Sequence, residues 1–212
     1  MTELIHPFPL YIFKHKVNNS LQLKEHFVPI ITELIQKKEE FLNPPPSWLC
    51  SDLTTSYDNP TLNERIFSNS DLLLSCYQEV FSNIAPPQVT KAEVTNIWFN
   101  YYTKNDYQEW HHHITLNHIN SIKKSNLSFV YFLSFDPDYH GSLVFKDPLH
   151  MVRSMSSDSG ICGYSPNWSP EVTEGDMVVF PVYLEHSVKP FKRVAENSDP
   201  RITISGNVRL DF

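Results

Sequence analysis

Apolar residues recur along this chain with two different periods, and the change from one to the other divides it. Near the start, Leu10 to Val17 reads as a short strand. Asn18, Asn19 and Ser20 then offer side chains that cap a helix ahead of Leu23, Phe27, Ile30, Ile31, Leu34 and Ile35, which fall on one helical face. The spacing predicts a helix from about Ser20 to Lys38. Pro44-Pro45-Pro46 cannot continue it, because proline lacks the amide N–H and clashes with the preceding turn. A second helical pattern runs through Leu62, Ile66, Leu72, Leu73, Tyr77 and Phe81 and ends before Pro86-Pro87.

Beyond residue 90 the period becomes two. Strands are predicted over Ala92–Tyr102, Tyr107–Ile114, Leu127–Phe135, Ser142–Lys146, Asp176–Pro181, His186–Pro190 and Arg201–Leu210. Turn formers such as Lys104-Asn105-Asp106, Asp136-Pro137-Asp138 and Glu174-Gly175-Asp176 separate them. Helices followed by a run of short strands imply an antiparallel sandwich or barrel with helices packed on one outer face. The irregular segments 115–126 and 147–173 are long for a compact domain, so both are expected to border a site.

Composition narrows the function classes. A chain of 212 residues with 41% hydrophobic content can build one sizeable core, so a single domain is expected. Its net charge of -7 provides no basic field for nucleic acid. Cys50, Cys76 and Cys162 are odd in number and far apart, which disfavours a disulfide framework and fits a reducing cytoplasm. A secretory signal and a membrane-spanning apolar run are both missing from the pattern, so a cytoplasmic protein without a membrane partner is expected.

The candidate chemistry lies in Trp110-His111-His112-His113. On a regular strand His111 and His113 share one face with Tyr107 and Glu109, while His112, Gln108 and Trp110 take the other. Two imidazoles from one strand leave coordination positions that a distant residue can fill, and iron, zinc, copper and nickel all accept imidazole. His186, just beyond the buried-strand pattern Met177-Val178-Val179-Phe180, is the candidate third ligand. Further on, Arg201, Thr203, Ser205 and Asn207 share one strand face and Ile202, Ile204, Val208 and Leu210 the other. If the polar face is internal, Arg201 can grip a carboxylate with two parallel hydrogen bonds and Thr203 can add a hydroxyl. Asn96, Trp98, Asn100 and Tyr102 form a face on the preceding strand that could line the same cavity.

The order of these segments resembles the iron(II)- and 2-oxoglutarate-dependent oxygenases, in particular their prolyl-hydroxylase-like branch, over roughly residues 90 to 210. The resemblance is carried by Gln108-Glu109-Trp110-His111-His112-His113, Phe129-Val130-Tyr131-Phe132-Leu133, Gly141-Ser142-Leu143-Val144-Phe145, Gly175-Asp176 before Phe180-Pro181, and then His186 and Arg201. Asn96-Ile97-Trp98-Phe99-Asn100 and Arg201-Ile202-Thr203-Ile204-Ser205-Gly206-Asn207 look like a bacterial and phage branch. The resemblance implies a double-stranded β-helix, the jelly-roll or cupin-like core, over residues 89–212; with the N-terminal strand and helical support layer that the spacing predicts over 1–88, the expected fold is mainly β with N-terminal helices. The resemblance also implies bound Fe(II), 2-oxoglutarate as co-substrate, O2 as oxidant, and Arg201 on the far carboxylate of 2-oxoglutarate.

Two departures from that family stand out. Its metal-binding acid falls on His113, giving His111, His113 and His186 as ligands, with Glu109 as a lesser alternative. Phe132 stands where relatives often place a tyrosine for the co-substrate, leaving Tyr131, Tyr102 or Thr203 to supply the hydroxyl. The expected reaction is hydroxylation of a C–H bond in a protein side chain or a small molecule. Arg153, Tyr164 and Trp168 are candidates for substrate contact, and His118, Lys123 and Lys124 are expected to be solvated. A three-histidine dioxygenase of the cupin type that needs no 2-oxoglutarate, and a non-catalytic metal-binding protein, are the competing readings.

Overall fold

The computed structural model describes residues 10–37, 42–46, 48, 53–68, 70–85, 87–114, 125–155, 165–193 and 199–212. Its N-terminal part contains β1 (Phe13–Lys16), α1 (Ser20–Gln36), β2 (Thr54–Thr55), α2 (Pro60–Phe67) and α3 (Asp71–Ile84). The helical spacing through Leu62 and Phe81 proves to belong to two helices. Asn59 caps α2 by accepting from the Leu62 amide with Pro60 at the first turn, and Ser70 starts α3 afresh by accepting from the Leu73 amide. Pro29 sits within α1 on its exposed side, where the carbonyl it leaves without an amide partner can meet water.

The strands that follow are β3 (Lys91–Tyr102), β4 (Gln108–His111), β5 (Leu127–Ser134), β6 (Leu143–Lys146), β7 (Asn167–Trp168), β8 (Asp176–Pro181), β9 (His186–Val188) and β10 (Arg201–Asp211). A short helix, α4 (His150–Met155), lies between β6 and β7. One sheet has the order β1-β8-β5-β10-β3-β2 and the other β4-β9-β6-β7. All the pairings are antiparallel. From β3 onward the chain passes repeatedly between the two sheets, which is the winding of a double-stranded β-helix. The N-terminal β1 and β2 extend the larger sheet at its two edges.

Two cores follow from this layering. Leu23, Phe27 and Ile31 of α1 and Cys76 and Val80 of α3 pack with Phe129, Tyr131, Ile202, Ile204 and Val208 on the outer face of the larger sheet. Val130, Phe132, Val178 and Phe180 pack with Leu143, Phe145 and Val188 between the sheets. Strands β5, β8 and β10 are therefore buried on both sides, and each large apolar side chain so removed from water contributes about 1.5–3 kcal/mol. Cys76 is a free thiol pushed up to about 12 by burial, so it serves as a small apolar residue; Cys50 and Cys162 lie outside the described residues. Gly175, at φ 83°, makes the turn into β8 that its neighbours predicted. Among the described residues no helix is long and apolar enough to cross a membrane.

Candidate metal and anion site

The histidines are brought together by strand register. Within the smaller sheet His111 of β4 lies directly opposite His186 of β9. Gln108 pairs with Val188, so β4 spends one more residue than β9 over the same length. This bulge changes the face pattern expected from strict alternation: Gln108 points inward with His111, buried and accepting from the Tyr102 hydroxyl at 3.2 Å. The strand also ends at His111, short of the predicted Ile114. His113 reaches the site from a bend, held by its amide's 2.9 Å bond to the Val182 carbonyl.

The candidate ligand atoms of His111, His113 and His186 all lie within 4.8 Å of one another. Each Nδ1 is already engaged. That of His111 donates to the Glu109 carbonyl at 2.8 Å and that of His186 to the Leu184 carbonyl at 2.9 Å. His113 Nδ1 donates to Asn207 Oδ1 at 2.7 Å, with Ser128 Oγ 2.8 Å from the same nitrogen and itself donating to that Oδ1 at 2.7 Å. An acceptor on Nδ1 fixes the tautomer in which Nε2 carries the lone pair that ligates a metal. Burial holds His111 below the usual histidine range, and burial together with its two histidine neighbours holds His186 well below it, so the neutral form that ligates is favoured. Glu109 is not part of the group; its backbone carbonyl orients His111 instead.

Arg201 opens β10 and is only 1% exposed. Its Nη1 donates to the Gly141 carbonyl at 2.7 Å, while Nε and Nη2 have no partner among the described residues. The guanidinium lies 5.0 Å from the Tyr102 ring and 5.4 Å from the Phe132 and Phe135 rings, and burial pulls its pKa down to about 10. Two buried, unsatisfied donors on a cation are costly unless an anion completes them. The supporting loop is built for this contact. His140 accepts from the Asp136 amide and donates to the Asp199 carbonyl, and a Cβ on Gly141 would come 1.7 Å from the Lys189 carbonyl oxygen.

The remaining candidates divide by face. Thr203 lies two residues from Arg201 on the same side, buried, with Asn100 and Phe132 as its cross-strand partners. Asn100 is tied up in the wall, accepting from Thr55 Oγ1 at 2.7 Å and donating to Ser205 at 3.4 Å. Tyr102 offers its ring to Arg201 while its hydroxyl goes to Gln108. Tyr131 is a correction: it pairs with Ile204 and packs in the helix-side core, so its hydroxyl faces away from Arg201 and Phe132 takes the inner position. Arg153 is exposed on α4 and pairs with Asp147, and Trp168 is half exposed and stacks on Phe145. Tyr164, His118, Lys123 and Lys124 lie outside the described residues.

A protein-family model described as "Putative 2OG-Fe(II) oxygenase" matches residues 96–207, a span that contains the three histidines and Arg201. The chain belongs to this family. Membership implies an oxidoreductase that uses iron(II) and 2-oxoglutarate, and the three converging imidazoles and the two orphaned guanidinium donors fit that pair. Solved structures share the fold. A Pseudomonas putida prolyl-4-hydroxylase aligns at 15% identity over 94% of this chain and 92% of its own, with a TM-score of 0.54. A viral collagen prolyl hydroxylase from Paramecium Bursaria Chlorella virus-1, in complex with 2-oxoglutarate, aligns at 13% identity over 94% and 96%, with a TM-score of 0.54. A Trichoplax adhaerens prolyl hydroxylase, in complex with a hypoxia inducible factor peptide fragment, aligns at 13% identity over 94% and 82%, with a TM-score of 0.57. Among curated proteins none matches the sequence.

Several functional positions of this oxygenase escaped sequence reasoning. Ser128 follows no motif, yet it lies opposite Asn207 and completes the support of His113. Gly141 mattered only as part of a strand pattern, whereas its carbonyl accepts the hydrogen bond that the Arg201 guanidinium makes among the described residues. For Asn207 the signal was present: it continues the polar face that begins at Arg201.

Proposed function

We propose that the protein is a non-haem iron(II)- and 2-oxoglutarate-dependent dioxygenase that hydroxylates a C–H bond, in a protein side chain such as proline or in a small molecule. The observation that carries this reading is the buried Arg201, with two donors left over, on the strand that also supplies Asn207 to His113. His111, His113 and His186 would hold the iron through Nε2. Arg201 would clamp the far carboxylate of 2-oxoglutarate bidentately, with the Thr203 hydroxyl beside it and Asn100 and Tyr102 shaping the wall. When bound, iron(II) and 2-oxoglutarate supply the oxidising chemistry, O2 being consumed as 2-oxoglutarate loses CO2 to give succinate. The chain's own work is to orient these groups and to keep water out, which Phe132, Val130 and Phe180 do as an apolar lining between the sheets.

Charge supports the same pairing. Three neutral imidazoles leave a divalent ion uncompensated, whereas the usual acid would cancel one charge. A dianionic co-substrate cancels two of the three positive charges that the ion and the Arg201 guanidinium bring together. Oxygen uptake and succinate release, measured with and without 2-oxoglutarate, test the proposal: both must require it. Uptake indifferent to 2-oxoglutarate favours the second reading, which the all-histidine ligand set keeps alive. In that reading the enzyme is a cupin-type dioxygenase, and Arg201 holds the carboxylate of the substrate itself.

A further inference from the structure

Beside the histidines lies a second group of rings that neither the metal nor the co-substrate uses. Trp98 of β3 is 5.5 Å from His113, Tyr57 is 5.0 Å from Trp98 at a right angle, Trp48 is 5.0 Å from Tyr57, and Trp48 is 6.3 Å from His111. His111 and His113 stack at 5.5 Å and close the circuit. The circuit draws on three separate parts of the chain: Trp48 from the segment after the proline run, Tyr57 from the turn between β2 and α2, and the rest from the β-helix core. Trp98 is 3% exposed, and its indole N–H has no partner among the described residues. A buried donor of this kind is destabilising until something accepts from it.

We infer that this circuit is the subsite for the reacting part of the substrate, and that it takes an uncharged aliphatic group carrying one hydrogen-bond acceptor, such as an amide carbonyl, for the Trp98 N–H. The inference rests on the oxygenase reading and adds the substrate's chemical class. Aromatic faces pack against C–H groups, and the circuit is seated against two of the three candidate ligands, where a C–H bond must be presented. The rings contribute neither a carboxylate nor a cation, so they offer an ionised group no counter-charge. Aromatic walls do hold cations elsewhere. Here a cation would have to approach a divalent metal whose protein ligands are all neutral, and repulsion disfavours it.

Indole signals in a two-dimensional proton–nitrogen NMR spectrum of the full-length, zinc-loaded protein with 2-oxoglutarate provide the test. The chain has four tryptophans, and Trp98→Phe assigns the relevant signal; should that variant not fold, Phe replacements of Trp48, Trp110 and Trp168 assign it by elimination. Titration with N,N-diethylacetamide should move the Trp98 N–H signal downfield and to saturation, and Tyr57→Ala should weaken that binding about two- to tenfold. Diethyldimethylammonium, a cation of similar size without an acceptor, should leave the signal in place. An amide that fails to shift Trp98 saturably, or an ammonium ion that shifts it equally, overturns the inference. Backbone signals near Arg201 read 2-oxoglutarate binding in the same spectra, so failure of the oxygenase reading is distinguished from failure of this subsite.

Discussion

The two faces of β10 are buried to the same degree and do opposite things. On one, Ile202, Ile204 and Val208 sit under α1 and α3; on the other, Arg201, Thr203, Ser205 and Asn207 face the smaller sheet. The first face needs nothing further, because apolar burial is favourable in itself. The second carries a guanidinium with two unused donors and an amide committed to a histidine, an arrangement that costs stability until ligands complete it. A strand with one stabilising face and one poised face lets the helices hold rigid what the site leaves unsatisfied.

That contrast breaks most visibly on the apolar side. Ile204→Ala should lower unfolding free energy by about 2–5 kcal/mol in chemical denaturation, while the folded fraction binds metal with unchanged affinity. Arg201→Met should do the reverse. Its 2-oxoglutarate affinity should fall by about a hundredfold or more, since one partner of a buried charge pair is gone. Ligand-free stability should hold or rise, because an unpaired buried cation has been replaced by an apolar chain. Calorimetry of binding and of unfolding checks both halves, and a strongly destabilised Arg201→Met would show that the guanidinium is structural.

Smaller effects sharpen the same comparison. Asn207→Ala removes the acceptor that fixes the His113 tautomer, and a loss of about 10–100-fold in metal affinity is expected from competition with a chromophoric chelator. Tyr131→Phe deletes a buried hydroxyl that has no partner among the described residues on the helix side, so stability should change by less than about 1 kcal/mol and 2-oxoglutarate affinity should not move. A clear loss of co-substrate affinity in that variant would return Tyr131 to the inner face.

Much of the architecture was readable because periodicity reports what each element buries. The spacing of Leu23, Phe27 and Ile31 foretold α1, and the alternation in Arg201–Asn207 foretold a polar row whose burial only three dimensions reveal. Failures cluster where local pattern carries no information. Strand β5 is apolar on both faces, so nothing in Leu-Ser-Phe-Val-Tyr-Phe-Leu-Ser says whether Tyr131 or Phe132 turns inward. The bulge that turns Gln108 inward is set by pairing with β9, more than seventy residues downstream, and His113 is placed by a backbone bond to Val182. Helix α3 begins at Asp71 because the Ser70 cap interrupts an otherwise continuous apolar spacing. His111 and His113 were legible as a pair because they stand two residues apart in a strand pattern, and His186 because it follows a buried-strand pattern; Ser128, which supports His113, and Gly141, which supports Arg201, are ordinary residues made important by what lies across from them.

In the proposed function, three imidazoles and one buried guanidinium form a single site for iron and 2-oxoglutarate. Anaerobic titration of 2-oxoglutarate into the iron(II)-loaded protein, followed through the visible charge-transfer absorption that chelation of the metal by the keto acid produces, tests it most directly. A saturable band at one equivalent per chain is expected, absent in His186→Ala and shifted to much higher concentration in Arg201→Met. A wild-type protein that shows no band, or an Arg201→Met titration that overlays the wild type, would rule out a shared site of this kind.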